Sequence, residues 1–432
     1  MTHMKHTPAT IDKPSLPPSL TRIILIGLIG NVVEWYDFAI FGYFASVIGN
    51  QFFPSSSPST SLIASFGAFA AGFLMRPIGG LVFGQIGDSL GRHQAMMISV
   101  LAMAIPTVLM CAIPTYATIG VAAPILLVTL RMIQGLSVGG EYTSSLIFLA
   151  ENAPPGRKSL TAIWGSWGAT SGILLGSAIG WLLTHFLSEP DINAWGWRIP
   201  FGIGGVIALS AWLIRRGLDH DLPEARTESP VREVLRRHHW PVVRVALLNI
   251  GTAVAYYTAF VYAVTYIRNI DQVPESLALE LNSVSMAFLL MVMPMAAWLA
   301  DHWGSHKVLK WALGLLCVFA VPLFQLIHSP DPERIFMGEI GFALLIGMGS
   351  GGILILNTSL IPKSVRCTGL AFAYNASTGL FGGTTPLIAA WLVSSTDNPI
   401  SPAYWVLGAA FVSLATLTLF IPNVLHLETE HQ

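Results

Sequence analysis

Long apolar stretches, separated by short intervals rich in proline, glycine and charge, run the whole length of this 432-residue chain. Nearly all match or exceed the ~20 residues an α-helix needs to cross the hydrocarbon core of a bilayer. The pattern predicts twelve membrane-crossing helices. Six cover 20–49, 60–87, 93–113, 119–151, 158–186 and 198–218; six more cover 242–269, 277–301, 306–327, 335–361, 366–394 and 403–426. One interval, 219–241, is longer and mixed in charge, with Arg232-Glu233 and Arg236-Arg237-His238-His239. It divides the chain into an N-terminal half (20–218) and a C-terminal half (242–426). The polar residues 1–19 hold four prolines and read as a disordered cytoplasmic tail; 427–432 form a second short tail.

Composition agrees with an all-α integral membrane protein: 53% of residues are hydrophobic and 10% charged, against about 25% charged in soluble domains. A net charge of −1 argues against a nucleic-acid partner. Cys111, Cys317 and Cys367 are scattered through apolar segments and form neither a disulfide frame nor a metal site. His238-His239 lacks a further ligand at useful spacing, so neither metal nor cofactor is expected, and the linker reads as headgroup-facing. Of the 22 lysines and arginines, 17 fall on the side of the N-terminus. Arg198, Arg268 and Arg334 lie opposite; Arg76 and Arg131 lie within the membrane. The positive-inside rule then puts both termini in the cytoplasm, in what is read as a bacterial inner membrane.

The halves echo each other. Gly84-Gln-Ile-Gly-Asp88-Ser-Leu-Gly91-Arg92-His93, after the second span, aligns with Ala297-Trp-Leu-Ala-Asp301-His-Trp-Gly304-Ser305-His306 after the eighth. Gly135 and Gly139-Gly140 on span four are matched by Gly347 and Gly351-Gly352 on span ten; Pro154 and Arg157 are matched by Pro362 and Arg366. A parallel duplication of this kind is a transporter architecture, with its site between the halves near the bilayer midplane.

These segments resemble the major facilitator superfamily, through Gly84…Asp88-x-x-Gly91-Arg92 and Arg131-x-x-Gln134-Gly135-x-x-x-Gly139-Gly140. More narrowly, the chain resembles the metabolite:proton symporter family. Gly30-Asn-x-x-Glu34-Trp-Tyr-Asp37-Phe38, Arg76-Pro77-x-Gly79-Gly80, Gly135-x-Ser-Val-Gly-Gly-Glu141-Tyr142 and Trp195-Gly-Trp-Arg-Ile-Pro-Phe201 carry that likeness. Tyr142, Tyr256-Tyr257 and Phe381-Gly382-Gly383…Pro386 are most similar to proline/betaine permeases, and related segments occur in carboxylate transporters. The resemblance implies two six-helix halves and alternating access. Ser305 stands where an arginine is expected, and Ala297 where a glycine is, which implies a weaker latch on that side.

Two acids in the first span carry the chemistry of interest. Charge at bilayer depth is costly, so it is kept for a function. Glu34 and Asp37, three residues apart, share a helix face with Asn31 and Phe41. At ~1.5 Å per residue, Glu34 lies about 12 Å, Asp37 about 8 Å and Arg131 about 14 Å below the far face of a ~30 Å core. Level alone makes Glu34 the standing partner of Arg131 and leaves Asp37 as the proton carrier. Glu141 and Arg76 sit lower and are expected to pair with each other. A carboxylate balanced between burial and a nearby cation gains or loses a proton when that partner moves, which is the logic of symport.

The second half offers neutral groups: Asn249, Thr252, Tyr256, Tyr257, Asn357, Tyr374, Asn375 and Thr378, with Glu339 and Asp301 placed near span ends. Candidate solute contacts are Asn31, Tyr36, Arg76, Arg131, Tyr142, Trp164, Asn249, Tyr256, Tyr257, Tyr374 and Asn375. Aromatic faces suit an ammonium, and Arg131 or Arg76 suits a carboxylate. Gly84, Asp88, Gly91, Arg92, Glu151, Arg157, Asp301 and Gly304 are expected to gate, Asp88 by facing a neighbouring helix start and Arg92 by pairing with Glu151. The expected activity is proton-coupled import of a zwitterionic osmolyte such as proline or glycine betaine by a functional monomer. The alternatives are symport of an organic acid (citrate, tricarballylate or a 2-oxoglutarate-like dicarboxylate) and a non-transporting solute sensor. No nucleophile–base pair points to an enzyme.

Overall fold

A computed structural model describes residues 20–55, 58–215 and 229–421; both predicted tails and most of the predicted linker lie outside them. Every regular element among these residues is helical. The first half comprises α1 (Leu20–Tyr43), α2 (Pro58–Leu90), α3 (Arg92–Ala112), α4 (Ala122–Glu151), α5 (Lys158–Phe186) and α6 (Ile199–Arg215). In the second half α7 covers 239–269 as His239–Tyr257, a π-turn at Thr258–Tyr262 and Ala263–Asn269. It is followed by α8 (Glu275–Trp303), α9 (Ser305–Ile327) and α10 (Pro332–Leu360). Next, α11 covers 366–396 as Arg366–Ser377, a π-turn at Thr378–Gly382 and Thr385–Thr396; α12 (Ser401–Phe420) ends the bundle. By length and composition, ten helices among the described residues are apolar enough to cross a membrane.

The first predicted span is divided: α1 stops at Tyr43 and a short helix, Ala45–Phe52, follows. Part of the linker is ordered as Pro230–Arg237, whose Val234 is buried beside Val242 and Val365.

The duplication is visible in packing and in turns. In the first half α2 and α3 pack on α4, and α3 on α6; in the second half α8 and α9 pack on α10, and α9 on α12. A single glycine joins α2 to α3 and another joins α8 to α9. Gly91 has φ +104° and Gly304 φ +94°, a region that side-chain-bearing residues avoid. Backbone contact between α2 and α4 depends on small residues: a Cβ on Gly135 would meet the Gly72 carbonyl, and one on Gly139 the Arg76 carbonyl. Such approaches are how helices associate in lipid, where hydrophobic driving force is absent. The halves meet mainly along α2–α11 and α5–α8.

Candidate functional site

Between the halves, helices α1, α4, α5, α7, α8, α10 and α11 wall a cleft, the kind of place between helices where small-molecule sites form. Its walls are largely aromatic. Tyr142 of α4 and Tyr374 of α11 stack with centroids 4.7 Å apart, and the Tyr142 hydroxyl shares a 2.6 Å hydrogen bond with Ser166 of α5. Tyr256 and Tyr257 come from α7 and Trp35 from α1. Asn249 also lines the cleft and forms a reciprocal amide pair with Asn357, at 3.0 and 3.1 Å.

Arg76 lies at the edge of this cleft. It is 1% exposed, with its guanidinium carbon 5.3 Å from the Trp35 ring centroid and 5.1 Å from that of Phe73. Its Nε and Nη2 carry no hydrogen bond among the described residues. Glu34, the residue before Trp35 on α1, is also 1% exposed.

Arg131 is differently placed. Its Nη1 donates to Asp37 Oδ2 at 2.6 Å and to Gln134 Oε1 at 2.7 Å. Thr107 donates to Asp37 Oδ1 at 2.8 Å and accepts from Gln134 Nε2 at 3.0 Å. The guanidinium carbon sits 3.8 Å from the Phe41 centroid and 5.6 Å from that of Phe38. The standing partner of Arg131 is therefore Asp37, not Glu34. Depth along an axis can be counted in residues, but the rotation of α1 against α4 cannot, and it brings Asp37 to Arg131. The Glu141 side chain lies outside the described set, and so does its expected pairing with Arg76.

Of the sequence-derived solute contacts, Tyr142, Asn249, Tyr256, Tyr257 and Tyr374 line the cleft and Arg76 borders it. Five do not line it. Asn31 donates to Gly27 and Ser145, and Tyr36 to the Pro200 carbonyl. Asn375 ties α11 to the Gly139 carbonyl at 2.6 Å, Trp164 packs edge-on against Trp167, and Arg131 is held by Asp37. Sequence reasoning missed Thr107, Gln134 and Ser166 as polar partners. Only Gln134, three residues after Arg131, had a spacing that could have revealed it.

At the end of the bundle where the linker emerges, two matched contacts close the halves together. Asp88, ending α2, accepts the backbone N–H groups of Cys367 and Thr368 at 3.1 and 2.8 Å, at the start of α11. Asp301, ending α8, accepts those of Ser159 and Leu160 at 2.7 and 2.8 Å, at the start of α5. Each carboxylate occupies the positive end of a helix in the other half. Ser305 meets the Ser159 hydroxyl at 3.3 Å, so the second latch has as many backbone bonds as the first. A Cβ on Gly84 would lie 2.6 Å from Thr368 Cα. Glu151 pairs with Arg366 at 3.1 Å; the Arg92 side chain, its expected partner, is outside the described set. Arg157 is exposed just before α5.

Glu339, seven residues from the start of α10, is fully buried.

The sequence matches the Major Facilitator Superfamily over residues 27–384, and the chain belongs to that superfamily. It is 34% identical over 416 residues to the glycine betaine/proline/ectoine/pipecolic acid transporter OusA of Dickeya dadantii, covering 92% of this chain and 82% of that one. It is 34% identical to the proline/betaine transporter of Escherichia coli K12, with the same coverage. With the citrate-proton symporter of Klebsiella pneumoniae it shares 34% identity, covering 93% of this chain and 92% of the other. Among solved structures, the proton:xylose symporter XylE superposes with a TM-score of 0.77 at 17% identity over 94% of this chain and 96% of that one. The relatives and the fold are those of multi-pass membrane transporters, not enzymes.

Proposed function

We propose that this chain imports a small zwitterion of the proline or glycine betaine class together with a proton, through the cleft between its halves. The observation that carries this reading is a buried cation, Arg76, over the Trp35 ring at the edge of a cleft walled by tyrosines, with the buried acid Glu34 next to Trp35 in the chain. A carboxylate offered to Arg76 gains a charge-assisted bond, while the cationic end of the solute meets Glu34 and the ring faces of Trp35, Tyr256 and Tyr257. A tricarboxylate at the same place would leave negative charge without a partner, since Arg131 is already held by Asp37. The relatives named for proline and betaine support this choice, and those named for citrate define its rival.

Asp37 is the proton carrier in this reading. A proton on Asp37 cancels its attraction for Arg131, which keeps Gln134, while Thr107 stays within reach of the neutral acid. The helix that carries Asp37 also carries Glu34 and Trp35, so a shift of α1 changes cleft and ion pair together. Asp88 and Asp301 close the end of the bundle assigned to the cytoplasm by the positive-inside rule. The protein acts as a monomer with both termini inside.

Proteoliposomes under an imposed pH gradient test the reading, with labelled proline, glycine betaine and citrate offered separately. Proline or betaine accumulates and citrate does not. Arg76→Gln weakens equilibrium binding of the zwitterion at least about 30-fold, since truncating one partner of a buried charge pair costs ~2 kcal/mol or more, and Arg76→Lys restores part of it. Accumulation of citrate alone would establish the rival reading; binding without accumulation of any solute would indicate a sensor.

A further inference from the structure

Glu339 lies seven residues into α10, about 10 Å from the helix start at 1.5 Å per residue. It is fully buried. Its Oε2 accepts the Ser285 hydroxyl of α8 at 2.9 Å, and its Oε1 has no hydrogen bond among the described residues. One turn earlier on the same face of α8, Asn282 is 6% exposed and its Oδ1 is likewise without a partner. The Asn282 amide lies 3.4 Å from the Phe260 carbonyl, inside the π-turn of α7. Ser285 thus ties the carboxyl to α8, and Asn282, one turn away on α8, ties α8 to the π-turn of α7.

Among the described residues, the contacts around Glu339 include no compensating charge. From α9, Leu323 and Ile327 press on Gly338 and Gly341 at either side of Glu339; α8 presents Ser285 and Asn282, and α7 the Phe260 carbonyl. Of the described titratable groups toward that end of the half, Arg268 and Asp331 are exposed. His328 and Asp271 pair at 2.7 Å, and Glu280, Glu333 and Arg334 are exposed. An ionised carboxylate held this way needs a counter-charge, and a single hydroxyl does not supply one. The donors are oxygen only, with one acid and neither His nor Cys, a set that suits a hard cation of single charge and not a transition metal.

We propose that Glu339, with Ser285, Asn282 and the Phe260 carbonyl, forms a second monovalent-cation site, taking a proton or a sodium ion in the half opposite Asp37. The site is tied to the cleft through Phe260, whose ring lies 5.3 Å from that of Tyr256 on the cleft wall. Occupancy therefore sets the π-turn that positions Tyr256 and Tyr257. This goes beyond the proposed solute specificity and does not depend on it.

The test is the thermal midpoint of the purified full-length protein in detergent, read without solute. It is measured at constant ionic strength from about pH 6 to about pH 9 in potassium salts, then at the upper pH with sodium replacing potassium. For a proton site, the midpoint of the wild type falls as pH rises, and Glu339→Gln, which keeps an acceptor for Ser285, lacks that part of the fall. For a sodium site, sodium raises the wild-type midpoint saturably and leaves that of Glu339→Gln unmoved. Glu280→Gln, at an exposed acid of the same half, keeps the wild-type response. A Glu339→Gln protein that follows the wild type in both series overturns the proposal and leaves Glu339 as a packing group bonded to Ser285. Should Glu339→Gln fail to fold, Asn282→Ala carries the test. It shifts the half-response by about one pH unit or about tenfold in sodium, and an unshifted response overturns the proposal equally.

Discussion

Asp88→Asn and Asp301→Asn each weaken one of the two contacts that hold the linker end of the bundle closed. Each carboxylate accepts two backbone N–H groups at a helix start in the other half. Hydrogen bonds to a charged group contribute ~1.5–3 kcal/mol each, and an anion at a helix N-terminus a further ~0.3–2 kcal/mol. Asparagine retains one acceptor oxygen and loses the other along with the charge. The loss is then about 2 kcal/mol, felt only in the closed arrangement because an opened helix start is met by water, or a factor of about 30 in the open-to-closed ratio. Cys367 is a native reporter: it is 1% exposed in the α2–α11 contact, with its Sγ 3.1 Å from where a Cβ on Gly87 would sit. With Cys111 and Cys317 replaced by alanine, the rate of N-ethylmaleimide labelling of Cys367 follows the open population. Asp88→Asn raises it about 30-fold, though the missing charge also acts on the neighbouring thiol directly. Asp301→Asn is the cleaner case, since it touches α5 and not α11. If the halves move as rigid bodies it speeds Cys367 labelling by a similar factor. A parental rate in Asp301→Asn would show that the latches open independently, and a parental rate in both would refute the reasoning.

Three further outcomes are expected. Asp37→Asn leaves the protein folded and in the membrane but stops gradient-driven accumulation; if the variant still concentrates solute, the proton role passes to Glu34 or Glu141. Gly135→Ala drives a Cβ into the Gly72 carbonyl with no flexible side chain to yield, an overpacking that costs at least ~1–3 kcal/mol. Its yield of monodisperse protein on size exclusion falls sharply, whereas Gly42→Ala, which meets nothing within 4 Å, matches the wild type. Beyond the end of α7, burial holds the Asp271 carboxyl above its ordinary range, against the opposing pull of His328. An acid so raised favours folding in its neutral form, so its contribution is present at low pH and is lost as pH climbs above about 4 toward the raised value. The thermal midpoint of Asp271→Asn lacks that decline, and identical pH profiles would exclude the role.

The bundle and its duplication were legible because they depend on quantities a sequence records directly. Apolar run length gives the helices, and the glycines at 91 and 304 give two tight joints at one repeat offset. What the sequence concealed is azimuth and partnership. Residue counting places Glu34 nearer than Asp37 to the level of Arg131, yet the rotation of α1 and the reach of a guanidinium decide for Asp37. The same limit explains Tyr36, Asn31 and Asn375, polar or aromatic at a suitable depth: Tyr36 and Asn375 are spent on carbonyls of neighbouring helices, Asn31 on Gly27 of its own helix and the Ser145 hydroxyl of α4. Partners from the other half were the hardest to foresee. Glu151 is met by Arg366, more than two hundred positions away, and Asp301 by two backbone groups that no motif marks.

The arrangement of α1 separates the cleft from the Asp37–Arg131 ion pair. Trp35 lines the cleft and carries Arg76 over its ring, whereas Asp37, two residues on, is turned away to Thr107 of α3 and Arg131 of α4. Phe38 bridges the two environments, lying 5.2 Å from Phe73 beneath Arg76 and 5.6 Å from the Arg131 guanidinium. A solute in the cleft therefore has no direct access to the ion pair. In the proposed mechanism its influence on Asp37 passes through the position of α1, packed along α5 on one side and against α4 on the other. Coupling by displacement of a shared helix needs the acid to be buried and paired while the cleft is empty, which is how Asp37 is held.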